Sequence, residues 1–354
     1  MYFEILNENG RKQFHKNFIL LTNKILSQFY YCYLSTLKRG VSLLLLPTIA
    51  IGCSAGELTA DEEKSETQII TKSFSHFTEG GSLDILVFED DRMKRLDAYQ
   101  RIEHFEGSAI YPTSTGGEKI FFLIYNSRKE RYSWHDINTY GTFRKMSSSL
   151  EDEQAGEPVM AGYGRCTAGE GSLSVTLRPL SSMVILESLK CDFSGTSYSG
   201  ESICDLKAYL TNVNAECSLT AAHEGQMRII NAGMLNSYDI AGFSDKSIVV
   251  QSLGTLTDRK TISQGNRFLC YRNSSDKSRR TRLVLEGKVQ GHTYYWPVEV
   301  GSGEGVRPDI TYSYDIIIRR KGTHDPDILI EKEEIDVICN IKPWTEKEDY
   351  SVRF

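Results

Sequence analysis

The chain has 354 residues, of which 40% are hydrophobic and 25% are charged. This composition is typical of a soluble globular protein with room for two domains, and it excludes disorder of the whole chain. The net charge of -6 is unevenly distributed: residues 1–52 contain six Lys/Arg and two Asp/Glu, so the remaining residues carry -10. Such an acidic body argues against nucleic acid as a partner.

The first 52 residues have the features of a leader that directs export. Lys38-Arg39 precede an apolar run over residues 41–51. This run is too short for a membrane-spanning helix, which needs about 20 apolar residues. The run ends in Ala50-Ile51-Gly52-Cys53, which resembles a bacterial lipobox. We therefore expect residues 1–52 to be a leader and signal peptide, with lipid attached to Cys53.

Two alternatives concern this leader. A buried N-terminal helix with an incidental cysteine would also explain the apolar run. The order of basic, apolar, Gly-Cys and acidic segments favours export instead. Because a signal peptide rarely has so long a preface, we also expect translation to start near Leu34 rather than at Met1.

The segment after Cys53 is predicted to be a tether followed by a short strand. Residues 54–66 are small and acidic, so they are expected to be solvated. They resemble the acidic sequence after the lipid-bearing cysteine of surface-exported lipoproteins of Bacteroidetes. The resemblance implies an outer-membrane anchor with the protein facing outward. We assign residues 53–80 to this lipidated tether and to an N-terminal strand at Gln68-Ile69-Ile70-Thr71.

The rest of the chain alternates apolar runs with Gly, Ser, Asn and Asp, which indicates a mainly β protein of the sandwich type. We place a domain boundary near residue 220, which predicts domains over residues 81–220 and 221–354. A helix is predicted over Ser133–Leu150. The main predicted strands are Leu83–Glu89, Lys119–Tyr125, Leu173–Leu177, Met183–Leu189, Asp205–Leu210, Arg267–Tyr271, Arg282–Val289, Thr293–Val300, Tyr312–Arg320 and Glu334–Ile341.

The cysteines and the motifs predict no catalytic residues, no metal and no cofactor. Six cysteines follow Cys53 without a C-x-x-C pair, which does not support a zinc ribbon or a thioredoxin-like motif. An exported protein can form disulfides, and the sequence leaves their pairing open. Cys339 is expected in the core because it shares a strand face with Ile335 and Ile341. Zinc-protease, P-loop, nucleophile-elbow and EF-hand motifs do not occur, so we expect a protein that is not an enzyme.

Several loose strand motifs follow one another in a specific order. They are Leu83–Phe88 with the Asp-rich turn that follows, Lys119–Asn126, Glu157–Gly162, Leu173–Leu189 with its Arg-Pro break, Phe268–Asn273, Thr281–Gly287, Tyr294–Val298, and Ile335–Ile341 with Pro343-Trp344. In this order the motifs resemble the fimbrillin family of Bacteroidales, the lipoprotein subunits of type V pili. The likeness covers roughly residues 80–345.

The resemblance implies two transthyretin-like β-sandwich domains in tandem. It also implies assembly with other fimbrial subunits by donor-strand exchange, in which an extended segment of one subunit completes a sheet of its neighbour. Tyr350, Val352 and Phe354 alternate at the C-terminus and form the candidate donor strand. Residues 68–71 would then fill the acceptor groove until they are removed.

Shaft subunits of this family lose their N-terminal strand to a trypsin-like, often arginine-specific, protease. This chain has no arginine between Cys53 and Leu83, where only Lys64 and Lys72 are candidate processing sites. The departure favours a minor anchor or tip subunit over a shaft subunit.

A second hypothesis is an adhesin, a surface lipoprotein that binds a glycan or a host protein. Exposed rings of Tyr294, Tyr295 and Trp296 could stack on a sugar. Packing of these rings in the core or between domains is the alternative, since Trp and Tyr are usually mostly buried.

Overall fold

The apolar runs form strands in the computed structural model, which is mainly β, as the sequence predicts. The structure describes residues 64–72, 81–107, 109–127, 134–154, 156–220, 228–273, 279–301, 303–330, 335–344 and 351–352. For His135 and residues 351–352 it describes the backbone alone. Over these ranges, no helix is both long and apolar enough to cross a membrane.

The described residues up to Pro179 form a first group of strands. A large sheet has the order β11-β9-β7-β3-β4, and a small sheet has the order β10-β2-β5. The strands are β1 (Lys64–Glu66), β2 (Gln68–Lys72), β3 (Leu83–Glu89), β4 (Leu96–Ile102), β5 (Ala109–Ile110), β6 (Thr113–Thr115), β7 (Glu118–Tyr125), β8 (Ser147–Ser149), β9 (Met160–Thr167), β10 (Ser172–Thr176) and β11 (Arg178–Pro179).

The large sheet is covered on both faces. Leu83, Ile85 and Val87 of β3 lie in a core that includes Ile69 of the small sheet. The alternate residues of β3, such as Phe88, lie in a second and larger core. Because successive side chains of a strand point to opposite faces, a strand covered on both faces is apolar at nearly every position. This explains the LDILVFE run of β3.

The described residues from Ser182 onward form a second group with two principal sheets. Their orders are β18-β12-β22-β23-β24, with β19 also paired to β12, and β17-β13-β20-β21. The strands are β12 (Ser182–Cys191), β13 (Ile203–Thr211), β14 (Val213–Asn214), β15 (Glu216–Ser218), β16 (Ile229–Ile230), β17 (Val250–Leu256), β18 (Thr261–Ile262), β19 (Asn266–Cys270), β20 (Arg282–Val289), β21 (His292–Glu299), β22 (Ile310–Ile318), β23 (Ile335–Pro343) and β24 (Ser351–Val352).

The predicted helix over Ser133–Leu150 is wrong. The segment holds a 3-10 turn at Trp134–Asp136, a four-residue helix α1 (Tyr140–Phe143) and strand β8. The ring of Phe143 packs 5.6 Å from that of Phe88, and β8 pairs with β15 of the second group. These tertiary contacts override the local helical pattern. Further 3-10 turns lie at Leu150–Asp152 and Lys246–Ile248.

Sheet membership changes between Pro179 and Ser182, well before the predicted boundary near residue 220. Strands β12 and β13, expected in the first domain, are inner strands of the second group. Strand β12 pairs in parallel with β22, so Met183 lies opposite Thr311. A local sequence pattern cannot show a pairing between residues so far apart. The division into two domains stays a prediction, because the chain from Asp61 onward forms one compact unit.

Candidate functional site

Strand β2, the predicted N-terminal strand, is the central strand of the small sheet. It runs parallel to β10, with Ile69 opposite Leu173. On its other side it runs antiparallel to β5, with Ile69 opposite Ile110. The β2 backbone is therefore paired with a strand on each side, and both of these neighbouring strands come later in the chain.

Side chains contribute less than the backbone to the position of β2. Ile69 is fully buried and shares a core with Ile110 and Val175. The next residue, Ile70, points outward and is 41% exposed. Just before the strand, the Thr67 amide donates to the Pro112 carbonyl at 3.1 Å, and its hydroxyl accepts from the Gly169 amide at 3.1 Å. The buried Ile69 side chain and the two hydrogen bonds of Thr67 thus hold β2 in place.

The two candidate processing lysines lie inside strands. Lys64 lies opposite Thr115 in the β1–β6 pair, and Lys72 lies opposite Thr176 at the end of β2. Both side chains are exposed. The Lys72 carbonyl also accepts from the Leu177 amide at 2.8 Å. A protease that acts on an extended chain therefore reaches these peptide bonds only after the local strand opens.

The C-terminal candidate strand is described in part. Strand β24 pairs antiparallel with β23, so Val352 lies opposite Cys339 and Ser351 opposite Asn340. Tyr350 and Phe354 lie outside the described residues, as does the candidate lipidation site Cys53. Their predicted roles stay predictions.

The three aromatic residues considered for sugar stacking do not form one exposed platform. Trp296 is fully buried, and its indole nitrogen donates to the Arg320 carbonyl at 3.0 Å. The Tyr294 ring lies 4.9 Å from the His324 ring, and the Lys321 ammonium lies 5.7 Å from the Tyr294 centroid. Packing thus accounts for Trp296, and it cannot stack on a ligand.

The six described cysteines are free thiols. Cys339 lies in the core, as its strand pattern predicts. Burial raises the pKa of the Cys270 thiol to about 12. The pKa of the Cys217 thiol is also raised to about 12, by burial and then by the neighbouring Glu153 carboxylate. Thiols with such a pKa are protonated at neutral pH and are weak nucleophiles.

The buried charged side chains of the large sheet are paired with other charged or polar groups. The buried Asp84 carboxylate accepts from Tyr99 at 2.6 Å and from Arg101 at 2.7 Å. The buried Lys119 ammonium lies 3.1 Å from the Asp97 carboxylate. Within the described ranges, no group of three or more His, Cys, Asp or Glu could hold a metal ion.

Comparison with known proteins adds evidence on the fold. No family profile and no curated protein matches the chain. A candidate cell adhesion protein from Parabacteroides distasonis has a TM-score of 0.60 at 12% identity, over 82% of this chain and 99% of that chain. A candidate cell adhesion protein from Bacteroides eggerthii has a TM-score of 0.60 at 14% identity, over 80% of this chain and 96% of that chain.

The fimbrilin FimA of Porphyromonas gingivalis is a third similar structure. Its TM-score is 0.57 at 14% identity, and the match covers 79% of this chain and 97% of that chain. Because each match includes nearly the whole of the other protein, the likeness extends over both groups of strands. The chain therefore has the fold of the fimbrillins, as the order of its strand motifs predicts.

Proposed function

We propose that this protein is a structural subunit of a cell-surface fimbrium, assembled by donor-strand exchange with other subunits. The observation that carries the proposal is the position of β2 between β10 and β5. A strand near one end of the chain completes a sheet through its backbone, and an extended segment of another subunit can make the same main-chain hydrogen bonds. The fimbrillin fold supports the proposal, and no catalytic step is assigned to it.

Release of β2 would open a groove between β10 and β5. The groove would present two unpaired backbone edges and the apolar site that Ile69 now fills. A donor strand needs an apolar side chain for that site and alternation along its length. The C-terminal residues Tyr350, Val352 and Phe354 have this alternation, and they are the donor in our proposal.

The proposed position of the subunit in the fibre rests on the two candidate processing lysines. Between Cys53 and Leu83 the only lysine or arginine residues are Lys64 and Lys72, and both lie within paired strands. Because the proposed subunit keeps β2 at the cell surface, it joins its neighbour by donating its own C-terminal strand and acts as a minor anchor or tip component. N-terminal sequencing of the surface protein should recover residues 68–71. A mature N-terminus at Ser73 would contradict this position because β2 would be lost, and one at Ser65 would contradict it because Cys53, the proposed lipid site, would be lost.

Membrane attachment is assigned to Cys53. In the native host, Cys53→Ser should prevent labelling by a palmitate analogue and move the protein from the outer membrane to the soluble fraction. Cys204→Ser is the matched control, because Cys204 is an exposed free cysteine of the folded part. Equal membrane partition and labelling of both variants would refute the lipid anchor.

Incorporation into fimbriae tests the structural role. We expect an epitope-tagged protein to copurify with fimbriae sheared from the native host. Deletion of residues 345–354 should remove it from that material while the protein stays in the cell envelope. Replacement of Tyr350, Val352 and Phe354 by serine should have the same effect, because it keeps the length but removes the apolar side chains. Normal incorporation of both variants would exclude these residues as the donor.

A further inference from the structure

A cleft of about 400 Å³ lies between the two groups of strands. One wall is formed by β9 and β10 of the first group. The rest of the lining comes from the segment around β14 and β15, from Arg272 and from Pro308 of the second group. The cleft is separate from the small-sheet core that holds Ile69, and strand exchange does not use it.

An exposed tyrosine lines this cleft in a fixed orientation. Tyr163 of β9 is 61% exposed, and its ring stacks on Phe122 at 5.4 Å with an interplanar angle of 22°. Phe122 in turn stacks on Tyr140 at 5.2 Å. Since one face of the tyrosine ring packs on this column, less side-chain freedom is lost on binding than for an unpacked ring.

Two glycines allow β10 to pack closely against β9. Gly162 and Gly164 flank Tyr163 in the sequence. A Cβ at Gly162 would collide with the Thr176 carbonyl, and one at Gly164 would crowd Leu173. Glycine at both positions therefore lets β10 cross close to β9. The crossing lies on the face opposite the Tyr163 side chain, because successive side chains of a strand alternate.

The chain along and just after β10 supplies alternating polar side chains. Ser174, Thr176 and Arg178 line the cleft, whereas Val175 and Leu177 lie in the small-sheet core. The Arg178 side chain is 61% exposed, and its guanidinium lies 3.0 Å from the Asp309 carboxylate at one edge. Period-two alternation thus aligns two hydroxyls and a cation along one wall.

The cleft has more cationic than anionic lining groups. Arg178 and Arg272 both line it, and Glu216 is its acidic lining residue. The Glu216 carboxylate already faces the Arg228 guanidinium at 3.7 Å. Because Arg178 likewise faces Asp309, it would bind an anion through its remaining N–H donors. In a body that carries net negative charge, two guanidinium groups in one cleft favour an anionic ligand. Planar guanidinium groups match a carboxylate with paired hydrogen bonds.

We propose that the cleft binds an acidic glycan, a sugar that bears a carboxylate. The Tyr163 ring supplies an apolar platform for a sugar face, and Ser174 and Thr176 supply hydrogen bonds to sugar hydroxyls. Arg178 and Arg272 supply the charge for the carboxylate. A small number of polar groups around an aromatic surface is the usual composition of a small-ligand site. The proposal goes beyond the structural role, because it gives the subunit a ligand of its own.

The test uses the purified protein on an array of sialylated, uronic-acid-containing and neutral oligosaccharides, followed by calorimetric titration of the strongest ligand. We expect an acidic glycan to bind and its neutral counterpart to bind at least about tenfold more weakly, which corresponds to roughly 1.4 kcal/mol. Tyr163→Ala and Arg178→Gln should each weaken binding by about tenfold or more. Tyr163→Phe, which keeps the ring, should bind nearly as well as the wild type.

Matched controls separate the cleft from the general surface. Tyr238 is 88% exposed and does not line the cleft, so Tyr238→Ala should leave binding unchanged. Arg319 is 43% exposed and pairs with Asp336, so Arg319→Gln is the control for loss of a surface cation. Thermal unfolding of every variant checks that it folds.

Several results would overturn the proposal. They are the absence of glycan binding, equal binding of the neutral counterpart, and binding that survives both Tyr163→Ala and Arg178→Gln. A dimer of the free protein that Tyr163→Ala dissociates, without glycan binding, would show that the cleft is an interface between copies of the chain.

Discussion

Among the described residues two pairs of strands run parallel, and the two pairs differ in how many apolar side chains they bury. Strand β2 pairs with β10 in the small sheet, and β12 pairs with β22 in the second group. Strand β2 has five residues and one fully buried apolar side chain, that of Ile69. Strand β12 has ten residues, and its buried apolar residues are Met183, Val184, Leu186, Leu189 and Cys191.

The difference shows which pair suits exchange. Burial of a large apolar side chain contributes roughly 1.5–3 kcal/mol. Release of β12 would expose several such side chains and would break pairing with both β22 and β19. Release of β2 would expose chiefly Ile69. A strand that can be replaced by a neighbouring subunit must be held mainly by its backbone, and β2 meets this condition.

The largest expected effect is on β12. Leu186→Ala should lower the free energy of unfolding by roughly 2–5 kcal/mol, because a fully buried side chain leaves a cavity in the larger core. Urea unfolding followed by circular dichroism measures this loss. A loss below about 1 kcal/mol would show that β12 is held no more firmly than an exposed strand.

The equivalent change in β2 should cost less. Ile69→Ala should lower the free energy of unfolding by about 1–2 kcal/mol, because the loss cannot exceed the free energy of local β2 opening. Its neighbour Ile70 is the matched control, since it is 41% exposed, and Ile70→Ala should change stability by less than about 0.5 kcal/mol. If Ile69→Ala costs as much as Leu186→Ala, the contrast between the two strands is lost.

The smallest expected effect is at the C-terminus. Deletion of residues 345–354 should change the free energy of unfolding of the isolated protein by less than about 0.5 kcal/mol. The described pairing of this segment is limited to Cys339 and Asn340 of β23. Thermal unfolding of the full-length and shortened proteins measures the difference. A large fall in the midpoint would show that the segment belongs to the core of its own subunit.

Sequence patterns predict strands well where both faces of the strand are buried or where the adjoining turn contains residues that favour positive φ. The run over β3 is apolar at five of its seven positions, and the turn between β20 and β21 has positive φ at Gln290 and Gly291. Patterns failed where long-range contacts decide the structure. Phe143 packs on Phe88 of the large sheet, and the predicted helix does not form. Strand β12 pairs in parallel with β22, which lies much later in the chain.

The candidate sites were predictable to different degrees. The N-terminal strand at residues 68–71 was visible as an apolar pair in a polar tether, and it is the centre of the small sheet. The cleft was not visible, because its residues come from separate segments. The Gly162-Tyr163-Gly164 sequence was the one available signal, since glycine within a strand indicates close approach of another backbone. Trp296 is not available to stack on a ligand, because it is buried and its indole nitrogen donates a hydrogen bond to a backbone carbonyl.

Native-state hydrogen exchange tests the central claim most directly. We predict that the hydrogen-bonded amides of residues 68–72 exchange through a local opening that costs at least about 2 kcal/mol less than global unfolding. The amides of residues 183–190 should exchange only through global unfolding. Their exchange rates should therefore rise much more steeply with urea concentration than those of residues 68–72. Equal protection and equal urea dependence for the two strands would contradict the account, because β2 would then be as integral to the fold as β12.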